Sequence, residues 1–229
     1  MNAEEKCAFN KELLTLAVPL GLQVLLTALV GASDALMLGR LNQESVAAVS
    51  LANQISFVMS LFVSSVVGSV GVLVAQYLGK KDERNAKRFM SMALRYSFLI
   101  SLVFTLAALL APEKLMALYT PEPELIDIGA GYLRIVSVSY LLSGISQCYL
   151  MVMKIDGRAR LSVWISALTV LVDMGLDFFL IYGCGAIPAL GANGSAYSTI
   201  AVEAVALVWC VWDGHRKGHL HPDMESKRY

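Results

Sequence analysis

Six long apolar segments joined by short polar connectors constrain this chain more than any other feature of its sequence. A helix needs about 20 apolar residues to cross the hydrocarbon core of a bilayer. Of the 229 residues, 57% are hydrophobic and 16% are charged, against roughly 25% charged in an average soluble domain. The segments lie at 13–38, 55–78, 89–111, 128–153, 161–182 and 196–212. The sequence therefore predicts an all-α integral membrane protein, with a six-transmembrane-helix bundle over 1–212 and a tail at 213–229.

Several classes of function find no support in the sequence. No GxSxG, Walker-type loop or HExxH is present, so we expect no catalytic residues and no enzyme. The four cysteines lie far apart without CxxC or close Cys/His pairs, which argues against a disulfide framework and a metal site. Lys+Arg and Asp+Glu both number 18, so no excess charge predicts a nucleic-acid partner. No cofactor is predicted, and the chain is expected to be surrounded by membrane lipid.

The basic residues of the connectors orient the chain. From the N-terminal segment to the tail, the successive polar segments carry 2, 1, 5, 1, 3, 0 and 4 Lys and Arg residues. Alternate segments thus hold 14 against 2. Because basic residues near short loops stay on the cytoplasmic side, this division predicts that both termini are cytoplasmic. The expected location is a plasma membrane or a bacterial inner membrane.

Four acidic residues fall inside the predicted spans, and no basic residue lies at comparable depth. They are Asp34 in the first span, Asp173 and Asp177 in the fifth, and Glu203 in the sixth. A charged side chain at the centre of a membrane helix costs roughly 2.5 to 3.5 kcal/mol, so such residues are expected to face an interior cavity. Asp173 and Asp177 share a helix face, and two carboxylates so placed do not both ionise easily. Acids without a basic partner can hold a proton, a sodium ion or a cationic substrate.

Each acid also has a structural interpretation. Asp34 is close enough to the outer interface to be solvated there. Asp173 could be a neutral carboxyl group bonded to a Ser or Thr of a neighbouring helix, and Glu203 could be a packing residue or an additional member of the site. Thr199, one turn from Glu203, is expected to bond to the backbone of its own helix.

A set of motifs in a fixed order resembles one family of transporters. The motifs are AVPLGLQVLLTALVGASDALMLGRL, AAVSLANQISF, VAQYLGKKDERNAKR, YLRI, LVDMGLDFFLIYG and GANGSAYSTI. In this order they resemble the amino-terminal lobe of the multidrug and toxic compound extrusion (MATE) transporters, and the resemblance covers essentially the whole chain.

The resemblance implies a multidrug efflux antiporter that exports organic cations in exchange for inward protons or sodium ions. Pro19 and Asp34 match the bending proline and the acid of the family's first helix. Asp173, Asp177 and Thr199 fall where the family carries its ion or proton site, although Asn is common at the first of these positions. Asp173 therefore adds a titratable group, which favours protons over sodium ions.

Two further departures from the family concern geometry and length. The connector KIDGRARL replaces a glycine-rich turn with a shorter basic one. Family members have two six-helix lobes, so a second lobe is expected as partner, either in a homodimer or in a separately encoded chain, and the tail resembles the start of an inter-lobe linker. Two alternatives stay open: a flippase for lipid-linked or polysaccharide precursors, and a non-transporting truncated half-transporter or scaffold.

Overall fold

A computed structural model of the protein describes residues 3–40, 42–183 and 188–217, and every regular element in these ranges is an α-helix. This confirms the predicted all-α fold class. The helices are α1 (Ala3–Gly39), α2 (Gln43–Gly79), α3 (Glu83–Leu110), α4 (Pro112–Ala117), α5 (Pro123–Ile155), α6 (Ala159–Tyr182) and α7 (Ala192–Lys217).

The helices have the length and apolar character of membrane spans. Five stretches are long and apolar enough to cross a bilayer: all of α2, α3 and α5, the Leu161–Tyr182 part of α6 and the Ala192–Gly214 part of α7. The predicted first span lies within α1, whose described side chains form a shorter apolar stretch over Val24–Gly39. The chain is therefore a multi-pass membrane protein.

Two helices differ from the sequence prediction. The connector after the third span contains the short helix α4, which begins at Pro112, where the fixed φ of proline suits the first turn of a helix. Helix α7 continues to Lys217 instead of ending at residue 212, so the first residues of the predicted tail are helical. The rest of that tail, 218–229, lies outside the described residues.

The basic connector between α2 and α3 is a tight reversal. The amide of Lys81 donates to the carbonyl of Leu78, and the amide of Asp82 donates to that of Tyr77, both over 2.9 Å. This is the Schellman pattern, in which Lys81 takes the left-handed φ of 59° that glycine usually supplies. Asp82 then caps α3 by accepting hydrogen bonds from the backbone and side chain of Asn85, which lowers the pKa of this carboxyl group.

Helix α5 is the centre of the bundle. It packs against α2, α3 and α7, while α1 packs mainly on α6, and α6 packs on α7. The main core lies between α2 and α5 and includes Val63 and Met59 of α2 with Leu133 and Tyr140 of α5. The arrangement leaves α1, α6 and α7 as a neighbouring group of three helices, and all four predicted acids lie in this group.

Helices α6 and α7 meet at Gly194 with almost no space between their backbones. A Cβ atom placed on Gly194 would lie 2.6 Å from the carbonyl oxygen of Leu180, well inside van der Waals contact. The absence of a side chain at this position therefore permits the close crossing. One turn further along α7, this crossing brings Ser198 against α6.

Candidate acidic ion site

Three helices bring carboxyl groups together near one end of the bundle. Asp34 lies about a turn and a half before the end of α1, and Asp177 lies about as far before the end of α6. Ser198 lies a similar distance after the start of α7. Because α1 packs on α6 and α6 on α7, these three side chains occupy the same level of the group.

Asp34 and Asp177 form the centre of the site. Their carboxyl groups meet across the interface between α1 and α6, close enough to share a hydrogen bond when one of them is protonated. Asp177 is 1% exposed, and Asp34 is half-buried. An ionised carboxylate can only accept hydrogen bonds, so a hydrogen bond between two carboxyl groups requires a proton on one of them. A pair of carboxyl groups in such surroundings can hold a proton or a cation.

Helix α7 adds hydroxyl groups to this pair. The hydroxyl of Ser198 donates to Oδ1 of Asp177 and is also within 2.8 Å of the carbonyl of Ser195. The hydroxyl of Thr199 donates to the same carbonyl over 2.9 Å, so the expectation that Thr199 bonds to its own helix is confirmed. The direct partner of Asp177 on this helix is the residue that precedes Thr199.

Asp173 and Glu203 lie deeper in the bundle. Asp173 is one turn before Asp177 on α6 and is 7% exposed, and its charge acts on Glu203 of α7. The four predicted acids therefore lie on three helices that pack side by side, with Asp173 about one turn deeper than Asp177 on α6. Within the part of the chain that the structure describes, no three His, Cys, Asp or Glu side chains are grouped as ligands for a metal ion.

The tyrosine of the YLRI motif also reaches the site. Tyr132 of α5 is buried, its hydroxyl donates to Oδ1 of Asn53 over 3.2 Å, and it lies beside Ser195 of α7. Asp34 and Asp177 both act on it electrostatically. Tyr132 thus connects α2, α5 and α7 beside the acid pair.

The charged groups of the site are acidic. Among the described residues, no Lys or Arg is one of the groups that act on Asp34, Asp173 or Asp177. One oxygen of Asp34 and one of Asp173, Oδ1 in each case, are buried without a hydrogen-bond partner in the described part of the chain. Buried acceptors of this kind are costly unless a proton or another positive group satisfies them.

Sequence reasoning selected the four acids and Thr199 but missed Ser198, Tyr132 and Asn53. A signal was available for Ser198, since it stands in the GANGSAYSTI motif directly before Thr199. Pro19 lies within α1, which continues as one helix through this position. The side chain of Pro19 is outside the described residues, so the bend at Pro19 stays a prediction.

The chain is similar to known transporters over nearly all of its length. It is 30% identical to the multidrug resistance protein PmpM of Pseudomonas aeruginosa over 84% of this chain and 40% of that protein. It is 29% identical to the multidrug resistance protein NorM of Burkholderia vietnamiensis over 89% of this chain and 45% of that protein. The chain therefore spans less than half the length of these two relatives.

Solved structures show the same fold. A crystal structure of MATE in the bent conformation superposes with a TM-score of 0.85 at 18% identity, over 96% of this chain and 49% of that one. A MOP superfamily transporter from Pyrococcus furiosus superposes with a TM-score of 0.81 at 18% identity, over 91% and 46% of the two chains. These proteins are transporters, not enzymes. The MatE family model matches residues 19–179, and the chain therefore belongs to the MatE family.

Proposed function

We propose that this protein is a subunit of a cation-coupled antiporter that exports small organic cations from the cell. The observation that carries the proposal is the buried pair of Asp34 and Asp177, which meets across two helices without a basic partner among the described residues. Such a pair attracts positive charge, because two ionised carboxylates repel each other strongly unless a proton or a cation offsets their charge. A proton or sodium ion would be the coupling ion, and Asp173 favours the proton.

Coupling requires that the ion and the exported cation prefer different states of the transporter. A ligand shifts a conformational equilibrium only through its different affinities for the two states. With a proton on the pair, the site has lost half of its negative charge and holds an organic cation less well. With the pair ionised, the site favours the organic cation, so the two ligands exclude each other.

A second six-helix lobe completes the proposed transporter. The chain matches less than half the length of each relative named above, and the solved structures named above are about twice its size. Parallel lobes related by an axis along the membrane normal need the same orientation in the bilayer. A homodimer meets that requirement if both termini are cytoplasmic, as the basic residues predict, and so does a separately encoded lobe.

The polarity of the site argues against a flippase for lipid-linked precursors. Those substrates are anionic, and their cavity should carry Lys or Arg at depth. The transporter from Pyrococcus furiosus has a binding pocket of reverse polarity, which suggests a different function for that protein. Here the deep charged groups of α1, α6 and α7 are acids.

The test is transport by the purified chain in liposomes. Uptake of ethidium, a hydrophobic organic cation, is measured under an imposed proton gradient, an imposed sodium gradient, and no gradient. We expect gradient-dependent uptake that Asp177→Asn reduces to the level of protein-free liposomes, because this substitution removes a charge of the buried pair. Asp127→Asn, at an exposed aspartate of α5, is the matched control and should retain full uptake.

Uptake that is equal with and without a gradient would contradict the proposal, as would equal uptake by Asp177→Asn and wild type. If the chain alone gives no uptake, protection against heat by protons, sodium ions or ethidium is measured instead, since a ligand that binds the folded state stabilises it. The absence of both uptake and protection would favour the non-transporting half-transporter.

A further inference from the structure

The outward side of α3 changes from basic to apolar along its length. Helix α3 packs against α2, α5 and α4, so one side of it faces away from the rest of the lobe. Residues three, four or seven apart share a helix face, and this spacing joins three arginines to four exposed apolar residues. We call these seven residues the outer face of α3: Arg84, Arg88, Arg95, Leu99, Val103, Leu106 and Leu110.

Arg95 lies within the depth of the hydrocarbon core. Helix α3 has 28 residues and is about 42 Å long, which exceeds the roughly 30 Å of the core. The far boundary is close to Leu110, because the exposed ion pair of Glu113 with Arg134 lies just beyond it. Arg95 is about 22 Å from Leu110 along the helix, and therefore about 8 Å inside the other boundary.

No acidic residue in the described part of the chain pairs with these arginines. The ion pairs there involve Arg134 and Arg158. Arg95 is exposed on the outer face, so the surroundings of its guanidinium group are lipid. A charged side chain at this depth is costly unless it extends to the headgroups or meets an opposite charge.

The geometry of a helix directs Arg95 toward the headgroups. Each Cα–Cβ bond of an α-helix tilts toward the N-terminus, so the side chain of Arg95 extends toward the start of α3. The connector with Lys80 and Lys81 lies at that end. Tyr96, which follows Arg95, is also exposed, and tyrosine is enriched at the level of the lipid headgroups.

We propose that the outer face of α3 binds one anionic phospholipid, with the guanidinium group of Arg95 on the lipid phosphate. Arginine donates two parallel hydrogen bonds to phosphate, and such charge-assisted bonds are strong away from water. An acyl chain of the same lipid then lies along the apolar part of this face, from Leu99 to Leu110. The phosphate supplies the negative charge that the described residues do not.

Arg84 and Arg88 give the site its preference for anionic over zwitterionic lipid. A zwitterionic headgroup carries its ammonium group beyond the phosphate, on the water side, which is where these two arginines lie. They repel an ammonium group, whereas the hydroxyl groups of phosphatidylglycerol can accept their hydrogen bonds. Basic segments near a membrane attract anionic lipid in general, but the deeper position of Arg95 makes this a site for one molecule.

The test is lipid binding to the purified full chain in a neutral detergent, measured by native mass spectrometry. Dissociation constants of the first bound lipid are compared for phosphatidylglycerol and phosphatidylcholine with identical acyl chains. Losing a hydrogen bond to a charged group changes affinity by about tenfold or more, so Arg95→Gln should weaken phosphatidylglycerol binding by at least that factor. Binding of phosphatidylcholine should change less.

Lys80→Gln is the matched control, because it removes the same charge from an exposed residue at the same end of the bundle. Lys80 precedes α3, whose first residue is about 18 Å from Arg95 along the helix axis. At physiological ionic strength this distance exceeds the Debye length, so we expect a change of less than about twofold. Equal losses in Arg95→Gln and Lys80→Gln would show diffuse attraction and overturn the proposal.

A second variant and a soluble competitor complete the test. Arg88→Gln should narrow the preference by strengthening phosphatidylcholine binding, and it answers the question if Arg95→Gln does not fold. An unchanged preference in Arg88→Gln, or equal binding of the two lipids by wild type, would contradict the assigned site. Inorganic phosphate should not displace bound phosphatidylglycerol; displacement at equal concentration would identify a site for soluble phosphate instead.

Discussion

The carboxyl group of Asp177 is the most connected polar group of the site, since it meets a residue of α1, a residue of α7 and a second acid on its own helix. From the sequence, only the similar membrane depth of Asp34 and Asp177 could be predicted, because both residues precede the predicted outer end of a span. Whether two side chains at one depth face each other depends on the rotation of each helix about its axis. That rotation is a product of packing, which a single sequence does not reveal.

The bond from Ser198 gives a prediction at this scale. Ser198→Ala leaves the buried Asp177 without its hydroxyl donor, which should lower the free energy of unfolding by about 1 to 3 kcal/mol. Ser146→Ala is the matched control, because Ser146 is equally buried but donates to the carbonyl of Leu142 in its own helix over 2.9 Å. Denaturant unfolding in detergent measures both. Equal losses would show that the Ser198 bond contributes nothing specific.

The helices themselves were the most predictable elements, because membrane spans are marked by length and composition. Two helical segments were not predicted because they are polar. Helix α4 lies in a connector rich in charge and proline, and α7 continues past its apolar part to Lys217. The sequence placed Asp213 at the start of a tail because a charged residue normally marks the end of a span. The structure instead buries it against Arg158.

Two ion pairs of the structure differ in burial and should therefore differ in their contribution to the free energy of unfolding. Arg158 and Asp213 are 22% and 11% exposed, whereas Arg134 and Glu113 are 55% and 53% exposed. Arg158→Gln leaves a buried carboxylate unpaired and should cost about 3 kcal/mol of the free energy of unfolding. Arg134→Gln should cost no more than about 1 kcal/mol, because water screens the exposed pair. Unfolding in detergent checks both, and equal costs would contradict the assigned difference in burial.

The connector that departs from the family pattern thus has a structural role. The segment KIDGRAR turns at Gly157, whose φ is 75°, and then places Arg158 between the end of α5 and the end of α7. A basic residue in this turn fixes two helix ends that a glycine-rich turn would leave unjoined. The sequence showed the departure but not its partner, since Asp213 is 55 residues away.

For the whole molecule, orientation in the membrane is the main prediction from charge. In a cysteine-free background, Glu44→Cys and Glu83→Cys place single thiols at exposed positions in the first turns of α2 and α3. A membrane-impermeant maleimide added to intact cells should label the first and should label the second only after permeabilisation. The reverse pattern would invert the orientation of the bundle and place both termini outside.

That relatives of this chain are about twice as long could be predicted only from its resemblance to the family. Hydropathy shows six spans but gives no reason to expect six more, and the acids mark a site without showing what closes it. Many large apolar side chains face outward from the lobe, including Phe57 and Phe62 of α2. Lipid and a second lobe are both apolar at this depth, so exposure alone does not separate the lipid-facing surface from an interface.

The close crossing at Gly194 has a consequence for how this protein can change over generations. A single methyl group there would push α7 away from the backbone of α6 and draw Ser198 off Asp177, although position 194 takes no part in ion chemistry. Exchanging Asp for Asn at position 173, or Glu for Gln at position 203, leaves the spacing of the helices intact. The acids can therefore be exchanged without moving the helices, while the glycine that sets the distance between α6 and α7 has no such freedom.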